Sequence, residues 1–291
     1  MMHLNTLDYE RWDEMVKDEN WSDTYSEGWK KLKRLRVDKS SNRDFNFDII
    51  MANPPFAGDV KESRILAKYD LSRTVSLEKL KNAPRDTTVL AGEPTFPEAL
   101  SNNGETVYQM SDGTFRKTKL KQATNMSRDI LFVERNIDFL KPGGRMAIVL
   151  PQGRFNNSSD KSLREYIADR CRILAVVGLH GNVFKPHTGT KTSVLFVQKW
   201  DEVLCPKVDD YNIFFATMQE PSKDNSGDKI YRNTTGENGE NIPLLDSHGH
   251  LIVKHDLFNH DGLTQDGIAE AFAEFAKKEH LSFFADAPLT K

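Results

Sequence analysis

Short apolar segments recur along the chain, and most of them end at turn-forming residues. They lie at residues 47–51, 146–150, 173–179, 192–200 and 211–217. Apolar runs of this length, bounded by turn signals, are typical of strands that are buried on both faces of a parallel sheet. We therefore predict five strands, the first of which is stopped by Asn53-Pro54-Pro55.

Three longer segments, at residues 125–140, 160–172 and 264–284, have the spacing of amphipathic helices. Their apolar stripes are Ile130, Val133, Ile137 and Leu140; Leu163, Tyr166, Ile167 and Cys171; and Ile268, Phe272, Phe275 and Ala276. Lys141-Pro142-Gly143-Gly144 ends the first helix. The stripe of the third helix fits either core packing or docking on a partner, and packing is favoured.

The order of these elements predicts an α/β fold with a doubly wound sheet, because strands alternate with helices. The connection at residues 181–190 is too short for a right-handed parallel crossover. We therefore expect the strands at 173–179 and 192–200 to form an antiparallel hairpin beside the strand at 146–150. The predicted architecture is a set of parallel strands closed by that hairpin.

Composition divides the chain into three parts. Residues 1–44 form a polar segment with a basic stretch at 30–36, residues 45–218 hold the sheet, and residues 219–291 form a loop and a helical tail. Within the second part, residues 57–124 are polar and rich in turn residues. A connection this long predicts an inserted region that is either functional or partly mobile.

Composition and charge narrow the classes of function. The 291 residues are 38% hydrophobic with a net charge of −3, which fits a folded protein and excludes a uniformly basic coat. Cys171 and Cys205 are too few for a disulfide framework or a cysteine-only zinc site. No apolar run is long enough to span a bilayer, so a cytoplasmic protein with no membrane partner is expected.

The most distinctive short motif is Asn53-Pro54-Pro55-Phe56, directly after the first predicted strand. Ligands of parallel sheets collect at the carboxyl ends of strands. The prolines lack amide donors, so the exposed groups are two acceptors, the Asn53 side-chain oxygen and the Pro54 carbonyl. Two converging acceptors suit a planar amine with two hydrogens, and the Phe56 ring can stack on its heterocycle. The alternative is a plain strand-ending turn with Phe56 in the core.

The wider sequence resembles the adenine-N6 DNA methylase family, in particular the methylation (M) subunit of type I restriction-modification systems. The resemblance is carried by FDIIMANPPF at 47–56, FLKPGGRMAIVLP at 139–151, VFKP at 183–186 and GTKTSVLF at 189–196. It implies a Rossmann-like, S-adenosylmethionine-dependent methyltransferase sheet, present here as its C-terminal part and followed by a C-terminal extension.

The resemblance also implies roles for particular residues. The reaction is methyl transfer from S-adenosylmethionine to N6 of an adenine flipped out of the duplex. The catalytic loop comprises Asn53, Pro54, Pro55 and Phe56, in which Asn53 and Pro54 accept from N6, Asn53 also borders the cofactor, and Phe56 stacks on the base. Phe184, between the last two strands of the hairpin, is either a second stacking ring or a hydrophobic plug under the hairpin. No metal is implied.

The implied partners are DNA, a specificity subunit and a restriction subunit. A cluster of basic residues inside residues 57–124 supplies candidate contacts to the DNA backbone. The alternative interpretation of this cluster is a solvated loop. The candidates are Arg116, Lys117, Lys119 and Lys121.

The sequence departs from the family pattern before the first strand. Residues 1–46 contain no counterpart of the Gly-rich cofactor loop or of the acidic residue that binds the ribose. We therefore expect a further chain, or further sequence of the same protein, to supply that half, and we expect this chain to be inactive alone. The alternatives are an rRNA or protein-glutamine methyltransferase with the same loop, and a non-catalytic assembly subunit that docks through residues 264–284.

Overall fold

The computed structural model describes residues 6–11, 46–82, 84 and 87–283. A short 3₁₀ turn, Thr6–Arg11, is the described part of the N-terminal segment. The basic stretch at 30–36 lies outside the described residues. None of the described helices is both long and apolar enough to cross a membrane.

The elements follow the chain in a mixed α/β order. The first part contains β1 (Phe47–Ala52), β2 (Asp59–Val60), α1 (Ser63–Leu66), β3 (Arg73–Leu80), β4 (Val89–Ala91), α2 (Phe96–Ser101), β5 (Val107–Gln109), β6 (Phe115–Gln122) and β7 (Met126–Ser127). The second part contains α3 (Arg128–Phe139), β8 (Leu140–Pro151), α4 (Gly153–Asn156), α5 (Lys161–Arg170), β9 (Cys171–Gly178), β10 (Thr192–Lys199), β11 (Phe214–Thr217), β12 (Asn233–Thr235), β13 (Asn241–Pro243) and α6 (Ile268–Lys278).

The main sheet has five strands in the order β1-β8-β10-β9-β11. The pairs β1–β8 and β9–β11 are parallel, whereas β10 runs antiparallel to both β8 and β9. The predicted α/β class and the antiparallel hairpin are confirmed, with β10 between its neighbours. All strands other than β10 therefore present their carboxyl ends at one edge of the sheet.

Helices α3 and α5 pack on one face of the sheet through a core that includes Ile137, Ile148 and Tyr166. The Lys199 ammonium caps α3 by donating to the carbonyls of Ile137 and Leu140, at 2.5 and 2.8 Å. The prediction that Cys171 belongs to the apolar stripe of α5 was wrong. The helix ends at Arg170, and Cys171 is the buried first residue of β9.

Strand β8 is longer than predicted and begins directly at the end of α3. The Lys141–Gly144 stretch that ends the helix thus belongs to the strand rather than to a separate turn. A Cβ atom on Gly144 would lie 3.0 Å from the Phe47 carbonyl oxygen and 2.9 Å from that of Lys141. Glycine at this position lets β1 approach β8 closely.

Strand β1 is not buried on both faces, which corrects the sequence prediction. Ile50 and Ala52 pack against the core, but Ile49 and Met51 on the opposite face are 57% and 83% exposed. The reason is that β1 is an edge strand of this sheet, and no described element covers the end of that face where Ile49 and Met51 lie.

Residues 57–124 form a second, four-stranded sheet in the order β3-β6-β5-β4, where the sequence predicted only polar turns. Leu71, Val75 and Phe96 pack into the core of the main sheet, so this inserted region is anchored to the rest of the molecule. Its assignment as an insertion within a methyltransferase domain stays a prediction.

The C-terminal part packs on the other face of the main sheet. Ala276 of α6 lies in a buried cluster with Leu174 and Leu281, and Phe272 and Phe196 pack against it. The Phe272 ring also meets Phe214 of β11, with centroids 5.5 Å apart. The apolar stripe of this helix, which is shorter than predicted, therefore serves packing within the chain.

Candidate active site

Residues 53–56, called the acceptor loop below, lie at the carboxyl edge of the main sheet. Ala52, the last residue of β1, pairs in parallel with Ile148 of β8, so the loop leaves the sheet where β8 also approaches its end. Pro54 is buried, Phe56 is half-buried, and Asn53 and Pro55 are exposed. The loop thus presents Asn53 to solvent above a fixed proline.

Neither acceptor of this loop is occupied by a described residue. No described donor reaches the Asn53 side chain or the Pro54 carbonyl. Asn53 is exposed, so its side-chain oxygen is available to an external donor, whereas Pro54 is buried and its carbonyl has no described donor. What they bind stays a prediction.

The Phe184 ring lies against the Phe56 ring, as the predicted hairpin requires. Their centroids are 5.3 Å apart and the ring planes meet at 88°, an edge-to-face contact. A base held between two ring faces needs about 7 Å between them, since stacked atoms approach to about 3.5 Å on each side. The two rings are in direct contact, so a base sandwiched between them would require one of them to turn.

Short strands fix the chain directly after the acceptor loop. Asp59 of β2 pairs antiparallel with Ser127 of β7, and the Asn125 amide donates to the Asp59 carboxylate at 3.0 Å. The Arg128 amide, at the start of α3, donates to the Gly58 carbonyl at 3.2 Å. The loop is therefore tethered at one end by β1 and at the other by the start of α3.

A buried charge network beneath this edge was not predicted from the sequence. Arg154, which follows β8, donates to Asp129 at 2.8 Å, to Asp160 at 3.1 Å and to the Ser127 hydroxyl at 3.0 Å. Asp129 is fully buried, and such a charge is tolerable only when it is paired and hydrogen-bonded. The network joins the start of α3 to the end of β8. Its one sequence signal was an acidic residue in the first turn of a helix.

The predicted DNA-backbone cations separate onto two faces of β6. Lys117, Lys119 and Lys121 alternate along the strand and share a face with Thr74, Ser76 and Glu78 of β3. The Glu78 carboxylate lies 3.9 Å from the Lys119 ammonium. Arg116 lies on the opposite face, 4.0 Å from the Asp112 carboxylate. The structure therefore groups the three lysines and places Arg116 apart from them.

A family model described as N-6 DNA Methylase matches residues 66–242, which is more than half of the chain. The chain belongs to the N-6 DNA methylase family. The resemblance seen in the sequence is thus confirmed for a region that contains the inserted sheet, most of the main sheet and Phe184. The acceptor loop lies just outside the matched residues.

Known proteins similar to this chain include subunits of type I restriction enzymes. The chain is 33% identical over 89 residues to the type I restriction enzyme EcoEI methylase subunit of Escherichia coli. The aligned region makes up 30% of this chain and 18% of that protein. It thus spans less than a fifth of the curated relative it matches.

Two solved structures are also similar. The type I restriction enzyme EcoKI M protein is 24% identical with a TM-score of 0.30, covering 36% of this chain and 22% of that one. A chain of a type I restriction-modification system is 16% identical with a TM-score of 0.34, covering 84% of this chain and 38% of that one.

Proposed function

We propose that this chain carries the base-binding part of a type I DNA adenine-N6 methyltransferase. The observation that carries the proposal is the acceptor loop at the carboxyl edge of the sheet, with Asn53 exposed, Pro54 buried directly after it and the Phe56 ring half-buried beside them. Membership of the N-6 DNA methylase family supports the same reaction.

In this proposal, the loop orients an amine rather than removing its proton. The Asn53 oxygen and the Pro54 carbonyl each accept one hydrogen of N6. The nitrogen lone pair then projects out of the plane of the base, from where it would attack the methyl carbon while the carbon–sulfur bond of the donor breaks to leave a thioether. The surplus proton of N6 would pass to water afterwards. Flipping the adenine costs a few kcal/mol. Stacking on Phe56 returns about 1–3 kcal/mol, and Phe184 adds a second ring.

The described residues do not make up a cofactor site by themselves. An adenosyl methyl donor is expected to use a Gly-rich turn after one strand and an acidic partner for its ribose after the next strand. No described strand pairs with the open edge of β1, so Asn53 is the one candidate contact. We propose that S-adenosylmethionine is held mainly by polypeptide outside the described residues, in a separate chain or in further sequence of the same protein.

The partners follow from the same proposal. DNA would lie along the acceptor loop and the lysine face of β6, and a specificity subunit would read the sequence. A restriction subunit would complete the system in the cytoplasm.

Substitutions in the acceptor loop test this function in the complete methyltransferase. Asn53→Ala should lower adenine methylation by at least about a hundredfold, since it removes one of two acceptors that orient the amine. Phe56→Ala should lower it by about tenfold or more, whereas Phe56→Tyr keeps a ring face and should stay near wild type. The measurement is tritiated methyl transfer to duplex DNA, with DNA affinity followed in parallel. Wild-type turnover of Asn53→Ala with unchanged DNA binding would exclude the acceptor mechanism.

Calorimetric titration tests the cofactor proposal. The isolated chain should bind S-adenosylmethionine weakly or not at all, because its described residues offer one wall of the site. A dissociation constant in the micromolar range would show that this chain holds the cofactor loop itself.

A further inference from the structure

The loop that carries Phe184, residues 180–191, is held from one side by a turn at residues 222–228. We call this turn the clamp segment. The Lys223 ammonium donates to the Lys185 carbonyl at 2.8 Å, directly after Phe184. In the other direction, the side-chain amide of Asn182 donates to the Lys223 carbonyl at 3.0 Å and to the side-chain oxygen of Asn225 at 3.3 Å. These bonds bracket Phe184 on both sides.

Gly227 brings the clamp segment into van der Waals contact with the same loop. Its φ is +99°, a left-handed conformation that favours glycine. A Cβ atom on Gly227 would lie 2.6 Å from the Pro186 nitrogen and 2.9 Å from the Lys185 carbonyl carbon. These neighbours are backbone atoms, which cannot turn away as a flexible side chain can. Any other residue at 227 would push the two segments apart.

The clamp segment is also ordered by hydrogen bonds within itself. Asp224 accepts hydrogen bonds from the amides of Ser226, Gly227 and Asp228, at 2.8, 2.8 and 3.0 Å. Lys223 and Lys229 form an antiparallel bridge at the base of the turn. The turn therefore has internal hydrogen bonds of its own in addition to its bonds to the Phe184 loop.

We propose that Lys223 and Gly227 are positioning residues for base stacking, which they serve by fixing the backbone of the loop that carries Phe184 next to Phe56. This inference rests on the proposed function, since a stacking role for the two rings is part of it. The 5.3 Å edge-to-face contact depends on where the 180–191 loop lies relative to the acceptor loop. The clamp segment fixes one partner of that contact, and β1 with α3 fixes the other.

Hydrogen exchange on the isolated chain tests the clamp without any assay of activity. The amides of Lys185 and Thr188 are bonded within the loop, to Asn182 and Phe184, and report on its opening. Gly227→Ala should accelerate exchange in residues 183–188 by about tenfold or more. Gly239→Ala is the matched control, because Gly239 also has a left-handed φ of +81° but nothing lies within 4 Å of its added methyl. Equal exchange in the two variants would overturn the proposal.

A second pair of variants removes the hydrogen bond without the steric push. Lys223→Met deletes the donor to Lys185 and should accelerate exchange in residues 183–188 by a few-fold. Lys229 lies across the bridge from Lys223 and its side chain is exposed, so Lys229→Met should leave the exchange rate of residues 183–188 unchanged. If both methionine variants exchange like wild type, Lys223 has no positioning role.

A double-mutant cycle in the complete methyltransferase links the clamp to stacking. Lys223→Met should slow methylation in the wild-type background and have no further effect once Phe184 is alanine, because it acts through that ring. Additive losses would overturn the link to Phe184. The two proposals can be refuted separately. If the clamp variants behave like wild type while Asn53→Ala lowers methylation, only the clamp proposal is refuted. If the clamp variants accelerate exchange while Asn53→Ala leaves methylation unchanged, only the methylation proposal is refuted.

Discussion

Glu134 shows how a single side chain joins α3 to the segment that leads into the second sheet. It lies buried on α3, and its carboxyl oxygens accept from the backbone amides of Asp70 and Leu71 at 2.7 and 2.8 Å. Burial raises the pKa of Glu134 to about 8, because it outweighs the two hydrogen bonds that favour the charged form. The carboxyl is therefore protonated in the folded protein at neutral pH.

This pKa shift predicts how stability depends on pH. Between about pH 4.5 and pH 8, unfolding releases the proton that folded Glu134 retains. The contribution of this group to the free energy of unfolding is thus highest below pH 4.5 and falls as the pH rises towards 8. Urea denaturation at pH 5 and pH 8 should show a smaller loss for Glu134→Gln than for the wild type. An equal loss in both proteins would contradict the shift.

At the scale of residues, local features could be predicted and distant partnerships could not. The acceptor loop is readable because Asn53-Pro54-Pro55-Phe56 is contiguous and directly follows an apolar strand. For Glu134 the sequence indicates only a charge on an amphipathic helix, since its hydrogen-bond partners lie 64 and 63 residues away in the chain. The Arg154 network was missed for the same reason, because Asp129 is 25 residues from Arg154.

At the scale of elements, the inserted sheet shows how polar strands escape detection. Strand β6 alternates lysines on one face with Thr118 and Leu120 on the other, and Thr118 is buried while Leu120 is half-buried. The lysines dominate its composition, so it reads as a charged loop. Helices α3 and α5 and the hairpin of β9 and β10 carry continuous apolar patterns, and these were predicted with their pairing.

The lysine face of β6 should contribute to DNA binding through phosphate contacts. Lys119→Gln and Lys121→Gln should each weaken binding by a few-fold at low salt, and each should reduce the slope of log affinity against log salt by about 1. Arg116→Gln is the control, because this residue lies on the opposite face beside Asp112. Fluorescence anisotropy of labelled duplex across salt concentrations measures both quantities. Similar losses for Arg116→Gln would assign the effect to net charge and not to this face.

At the scale of the whole molecule, the main sheet is incompletely covered along β1. Its outer edge pairs with no described strand, and Ile49 and Met51 expose apolar side chains on the face where Leu174 and Phe272 pack. Sequence patterns report that a strand is apolar, but they do not report which partner covers it. The prediction of burial on both faces was wrong for this reason.

An apolar face beside an open strand edge is a site for association. We expect the isolated chain to self-associate as its concentration rises, because burying a side chain such as Met51 is worth about 1.5–3 kcal/mol. Met51→Lys should shift the chain towards monomer in sedimentation velocity. Val203→Lys is the matched control, since Val203 is also 83% exposed but belongs to the turn after β10 and not to β1. If both variants reduce association equally, added charge is the cause. If only Met51→Lys does so, the β1 face is the contact surface, and a partner that pairs with the open edge of β1 should compete with self-association there.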